Sequence, residues 1–196
     1  MFVYFGSTLS YDCTDKLDVK NHIDKKAGQA FGALRKNLFT STQITLKTKR
    51  LAYCILILTV LLYGSETWCL TEALYRQLRN FHTCCVRTMC RITGKHTRTH
   101  RISTAQLLDR LGLPSIDTFI TKRQLRWAGH VSRMDYDRLP RKMLSSWVRS
   151  KRPRGAPRLT YGRSLRKSLK KANVNTQTWP TVAEDRVEWR NIINNL

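Results

Sequence analysis

Acidic side chains are scarce in this sequence. Only 13 Asp and Glu stand against 36 Lys and Arg in 196 residues, a formal net charge of +23 and an isoelectric point near 10.5. The few acids are scattered, as Asp12, Asp15, Asp18, Asp117, Asp135 and Asp137, whereas two-metal polymerase or nuclease chemistry needs clustered carboxylates. Long apolar runs are missing too. The charge-free stretch from Leu51 to Tyr63 is bounded by Arg50 and by "GSE" at 64–66, well short of the roughly 20 residues that span a bilayer. No basic leader precedes an apolar segment in "MFVYFGSTLSYD", so a secretory signal is not expected. The six cysteines form no CxxC pair, and without a secretory signal a reducing compartment fits them better than a disulfide framework.

What is present is apolar mass and positive charge. A content of 41% hydrophobic residues with five Trp supplies enough area to offset the entropy of ordering. An excess of cations destabilises a compact chain by self-repulsion unless a polyanion neutralises it, and nucleic acid is the foremost polyanion, an anionic membrane surface the next.

The chain reads as mainly α. "FVYFGSTLS" ends in turn chemistry and suits a short strand or hairpin. From Leu17 the period changes: Val19, Ile23, Ala27, Ala30, Phe31, Leu34 and Leu38 fall on one helical face. A second helix from Thr45 to Tyr63 takes in the charge-free stretch and reads as a buried core helix. A third follows Thr71 as N-cap, with Leu74, Leu78, Phe81, Cys85, Met89 and Ile92 as its stripe and Gly94 at its C-terminus. Ser103 and Gln106 form a capping-box pattern before a helix that stops at Gly112. An amphipathic helix in "LPSIDTFITKRQLRWAGHVSRM" places Ile116, Ile120, Trp127, Val131 and Met134 inward. From Arg138 the chain carries thirteen cations and no acid as far as Lys171. Within that tract "KRPRGAPRL" reads as a loop because of its Pro and Gly residues. A short basic helix follows, then one last amphipathic helix with Trp179, Val182, Trp189 and Ile193.

Several sites can be nominated and weighed. Cys90, His96 and His100 imitate part of a zinc set, but no tight second pair exists and Cys85 sits on an apolar stripe, where free cysteines act as small hydrophobes. Cys84 with His130 has no motif around it. "GSETW" lacks the second glycine of a nucleophile elbow and follows a helix rather than a strand. The basic tract carries the strongest functional signal. Charge runs are commonly solvated faces or linkers, yet here Trp147 and Tyr161 lie among the cations, and cations meet phosphates while aromatics stack on unpaired bases.

The order of segments then carries a resemblance. "FVYFGSTLS", "AFGALRKNL", "TLKTKRLAY", "LLYGSETWCLT", "RTMCRITG", "LGLPSIDTFITKRQLRWAGHVSRM", "RLPRKML", "RPRGAPRLTYGRSLRK" and "AEDRVEWR" resemble, in colinear order over essentially the whole chain, the C-terminal portion of a LINE-type (non-LTR) retrotransposon endonuclease–reverse transcriptase. The resemblance implies that Phe2, Tyr4, Gly6 and Ser7 form the primer-proximal hairpin closing the palm. The helices after it correspond to the thumb, and the basic remainder to a region that holds RNA or target DNA. It implies structural roles for Tyr63, Gly64, Trp68 and Trp127. It also places the family's catalytic aspartates upstream of the hairpin, so no enzymatic activity is expected of this chain, and no zinc knuckle, since no cysteine follows Cys90.

The expected organisation is a palm-end hairpin remnant over 1–15, a thumb-like helical domain over 16–136, a basic linker over 137–160 and a helical tail over 161–196. The expected function is that of a truncated reverse-transcriptase fragment that binds nucleic acid, with a stand-alone nuclear nucleic-acid-binding protein of the same origin as the alternative. Phosphate contacts are expected from Arg149, Lys151, Arg152, Arg154, Arg158, Arg163, Arg166 and Lys167. The expected partners are RNA and/or DNA (the element transcript or a template–primer duplex), with no membrane, small-molecule substrate, metal or cofactor. The expected location is nuclear and/or cytoplasmic, in ribonucleoprotein, rather than secreted.

Overall fold

A computed structural model describes residues 2–4, 6–12, 14–145 and 160–196. It is mainly α, with one two-stranded antiparallel hairpin at the start. Strands β1 (Phe2–Tyr4) and β2 (Ser7–Leu9) pair Phe2 with Leu9, Val3 with Thr8 and Tyr4 with Ser7. Their turn needs Gly6, whose φ of 82° lies in the left-handed region that residues with a Cβ avoid.

Ten helices follow among the described residues. Helix α1 covers residues 16–39 and contains two wide π-helical turns, at His22–Ala27 and Arg35–Phe39. Helix α2 covers residues 46–61, with a third such turn at Tyr53–Leu58. Then come α3 (Glu72–Met89), α4 (Gly94–Thr99), α5 (Thr104–Leu111), α6 (Ile116–Ser132) and α7 (Leu139–Ser145). The chain closes with α8 (Tyr161–Lys171), α9 (Trp179–Glu184) and α10 (Arg186–Asn194). The contacts divide the chain into two compact units, one of residues 1–64 and 71–117, the other of 65–70 and 118–196.

In the first unit the hairpin is tied to α1 by polar contacts. The Thr8 amide donates to Asp18 at 2.7 Å, Asn21 donates to the Thr8 hydroxyl at 3.0 Å, and Lys26 donates to the Gly6 carbonyl. The expected apolar face of α1 is only partly correct. Val19, Ala27, Phe31 and Phe39 are buried together with His22, while Ile23, Ala30, Leu34 and Leu38 are half-buried. The π-helical turns explain the change: each inserts an extra residue per turn, so buried positions jump by five between His22 and Ala27. Phe31 and Phe39 stack at 4.5 Å, and Tyr53 meets both edge-on.

The charge-free run on α2 buries Tyr53, Ile57, Leu58 and Leu61 but leaves Leu51, Ile55 and Leu56 exposed. It is a core helix on one face only. Thr71 caps α3 as expected, by accepting from the Leu74 amide. At the inner position expected for Phe81 the helix buries His82. The Tyr53 hydroxyl lies 2.8 Å from His82 Nδ1. Gly94 does not end α3. Arg91 takes the left-handed turn at φ 58°, and Gly94 begins α4 behind a Thr93 cap. The Ser103–Gln106 capping box is present in both directions, and Gly112 closes α5 at φ 59°.

In the second unit, Leu125, Ala128, Leu165, Leu169, Ala183, Trp189 and Ile193 form the core. The one terminal helix expected from the pattern is two. Asp185 breaks the chain between them, with its carboxylate accepting from the Val187 and Glu188 amides. An aspartate with two free backbone donors ahead of it favours a new N-cap over continuing a helix.

Candidate nucleic-acid interface

Helix α8 is built to face two ways. Ser164, Leu165, Ser168 and Leu169 are buried, while Arg166, Lys167, Lys170 and Lys171 are exposed and Arg163 is half-buried. Arg163, Arg166, Lys167 and Lys170 stand at i, i+3, i+4 and i+7, which places them on one face. They line a shallow hollow of about 380 Å³. Like charges at this spacing repel one another along a helix, and no acid lies within α8 to relieve them.

A buried polar network fixes how that face is presented within its unit. Gln124 on α6 is fully buried. Its amide nitrogen donates to the Trp68 carbonyl at 3.0 Å and lies 3.3 Å from the Ser164 hydroxyl, while its amide oxygen accepts from Ser168 at 2.6 Å. Ser164 and Ser168 therefore anchor α8 from below, one helical turn apart, and the cations point away. Tyr161 opens the helix half-buried, and burial pushes its phenol up to about 12. Glu66 lies 3.9 Å from Arg123, and burial lowers that guanidinium against the partial compensation of the glutamate.

The segment "QLRWAGHV" is a packing element of the same unit. Leu125, Ala128 and Val131 are buried, and the Trp189 indole donates to the Leu125 carbonyl at 3.0 Å. Gly129 leaves room for that ring: a Cβ there would lie 2.2 Å from the indole nitrogen. Trp127, expected to face inward, is half-buried and lies against His130 with ring centroids 5.8 Å apart.

Of the other residues singled out from sequence, Arg149, Lys151, Arg152, Arg154 and Arg158 lie outside the described residues, as does Trp147. Arg163, Arg166 and Lys167 come together on α8. Lys170 joins them, and only the i+7 spacing from Arg163 could have added it in advance. Phe2 and Tyr4 are exposed and Ser7 half-buried on the hairpin. Tyr63 is exposed, and Gly64 adopts φ 75°, with the Ser7 hydroxyl 3.1 Å from where a Cβ would stand. Trp68 is buried and held at its carbonyl by Gln124. His96 on α4 and His100 just past its end lie tilted against each other with ring centroids 4.1 Å apart. Among the described residues no three His, Cys, Asp or Glu side chains are gathered as a metal would require, and no helix is long and apolar enough to cross a membrane.

No family model matches the chain, and no solved structure matches it. It is similar to a transposon-derived protein of Caenorhabditis elegans whose function is uncharacterised, with 28% identity over 211 residues, covering 97% of this chain and 75% of that protein. This similarity supports a transposon origin for the chain.

Proposed function

We propose that this chain binds RNA or DNA through its phosphates, as the thumb and basic C-terminal region of a non-LTR retrotransposon reverse transcriptase. The α8 face carries the reading: four cations at helical spacing, held outward by a buried Gln124–Ser164–Ser168 network, in a chain of net charge +23. A helix face of this kind matches a row of phosphates, and phosphate contacts carry no sequence information, so binding is weakly dependent on sequence. Arg149, Lys151, Arg152, Arg154 and Arg158 add further phosphate contacts, and Trp147 a stacking surface for unpaired bases. The chain's part is to hold nucleic acid while carboxylates elsewhere in such a polymerase carry out nucleotidyl transfer. Its location follows its partner, in nuclear or cytoplasmic ribonucleoprotein.

Fluorescence anisotropy with labelled oligonucleotides tests this. The full chain is expected to bind single strands and duplexes of scrambled sequence with affinities within a few-fold of one another, weakening steeply with salt. Failure to bind any of them at low ionic strength would overturn the proposal.

A further inference from the structure

Helix α6 has two unlike faces. Gln124, Leu125, Ala128 and Val131 are buried, and α8 packs on the Gln124 side through Ser164 and Ser168. Arg123, Arg126, Trp127 and His130 stand at i, i+3, i+4 and i+7, which sets them together on the other side. Arg126 and His130 are exposed there, and Arg123 and Trp127 are half-buried. Trp127 is not one of the side chains packed against the core of its unit, although Trp179 and Trp189 are. Its ring lies against the His130 imidazole instead, with centroids 5.8 Å apart and planes at 44°. Arg123 is engaged by Glu66 at 3.9 Å. Among the described residues no carboxylate pairs with Arg126.

An indole left partly in water gains by being covered with a flat, apolar partner. The arginines beside it favour a partner that is also anionic. An unpaired base on a sugar–phosphate strand supplies both, a π-face for the indole and a phosphate for the guanidinium. We propose that this face of α6 is a single-strand site, on which Trp127, buttressed by His130, stacks an unpaired base while Arg126 meets an adjacent phosphate. The inference rests on the nucleic-acid reading above and adds to it a preference for unpaired strands. A duplex keeps its bases stacked within, so it can use Arg126 but not Trp127. The competing account makes Trp127 a packing residue only, whose loss affects every strand alike.

Fluorescence anisotropy with the full chain tests this on three probes of equal length: a single strand, a strand of abasic sugars, and a duplex. Trp127→Leu is expected to weaken binding of the ordinary strand roughly 5- to 150-fold and to leave the abasic strand and the duplex unchanged. Trp127→Phe, which keeps an aromatic face, recovers most of that loss. Arg126→Gln makes the log–log salt slope on the ordinary strand shallower by about 0.7. No loss from Trp127→Leu, or an equal loss on all three probes, overturns the site.

A second measurement needs no substitution. A strand carrying 5-iodouracil is irradiated on the wild-type chain, and the crosslink is mapped after trypsin digestion. Arg126 and Arg133 bound a tryptic peptide of residues 127–133, and the crosslink is expected there. Crosslinks confined to other peptides overturn the site. A wild-type chain that binds none of the probes overturns the nucleic-acid reading itself, whereas binding without a Trp127 effect removes only this site.

Discussion

Gly129→Ala is the sharpest test of how the second unit is assembled, because two effects push in opposite directions. By helix propensity alone, alanine in place of an interior glycine stabilises α6 by about 1 kcal/mol. The added Cβ would, however, lie 2.2, 2.6 and 2.9 Å from the Nε1, Cδ1 and Cε2 atoms of Trp189. The indole is 3% exposed and its N–H is committed to the Leu125 carbonyl at 3.0 Å, so it cannot swing into water without leaving the core. Overpacking of this kind costs roughly 1–3 kcal/mol, and stretching or losing the buried hydrogen bond adds about 1–2 kcal/mol. The net expectation is destabilisation by roughly 1–4 kcal/mol after the propensity gain is subtracted. Tryptophan emission is the right probe, since all five Trp, at 68, 127, 147, 179 and 189, fall in the residue ranges of this unit. Urea titration should show a lower midpoint for the variant. Gly129→Ala combined with Trp189→Leu should recover part of the loss relative to Trp189→Leu alone. A Gly129→Ala chain as stable as the wild type, or more so, would refute the Trp189 packing.

Three further outcomes follow from the same geometry. Gln124→Leu removes the acceptor of the Ser168 hydroxyl and leaves the Trp68 carbonyl with the longer 3.5 Å bond from Ser164, and should destabilise the second unit by about 1–3 kcal/mol in the same titration. Asp185→Ala removes the N-cap of α10 and should cost about 1 kcal/mol, whereas Asp185→Asn should be near neutral. The third concerns pH and the first unit. Burial brings His82 down to about 4 in the folded chain, below its ordinary 6.5, so the unfolded chain binds the extra proton first. Stability is then fully present above pH 6.5 and lost as pH falls toward 4, by about 3 kcal/mol. His22, also lowered by burial, adds in the same direction. His82→Gln should flatten that slope in urea titrations followed by circular dichroism, and an unchanged slope would contradict the assignment.

Local chemistry was legible in the sequence where a side chain acts on its own backbone. The Ser103–Gln106 box, the Thr71 cap, the Gly112 stop and the four-three spacing along α3 are all of this kind. The hairpin was legible from its turn chemistry and the basic helix from the Pro- and Gly-bearing segment before it. The departures arise where tertiary packing decides. The three π-helical turns rotate the buried face by a residue at a time, and nothing in the composition of His22–Ala27 or Tyr53–Leu58 marks them. His82 replaces Phe81 inside because the Tyr53 hydroxyl, distant in sequence, partners its Nδ1. Arg91 accepts a left-handed turn that Gly94, three residues on, would have taken more easily. The α8 cations could be read as a charge run, but their role as one outward face depends on Gln124, whose position on α6 gives no hint of its serine partners on α8.

The central claim is that the α8 face contacts phosphates, and the salt dependence of binding measures it most directly. Arg163, Arg166, Lys167 and Lys170 are replaced together by Gln, and the affinity for a single strand and for a duplex is followed from low to high salt. If the four side chains neutralise four phosphates, the log–log slope should become shallower by about 2.8 on the single strand and about 3.6 on the duplex, equally for unrelated sequences. Slopes identical to those of the wild-type chain would contradict the claim and move the binding to another surface.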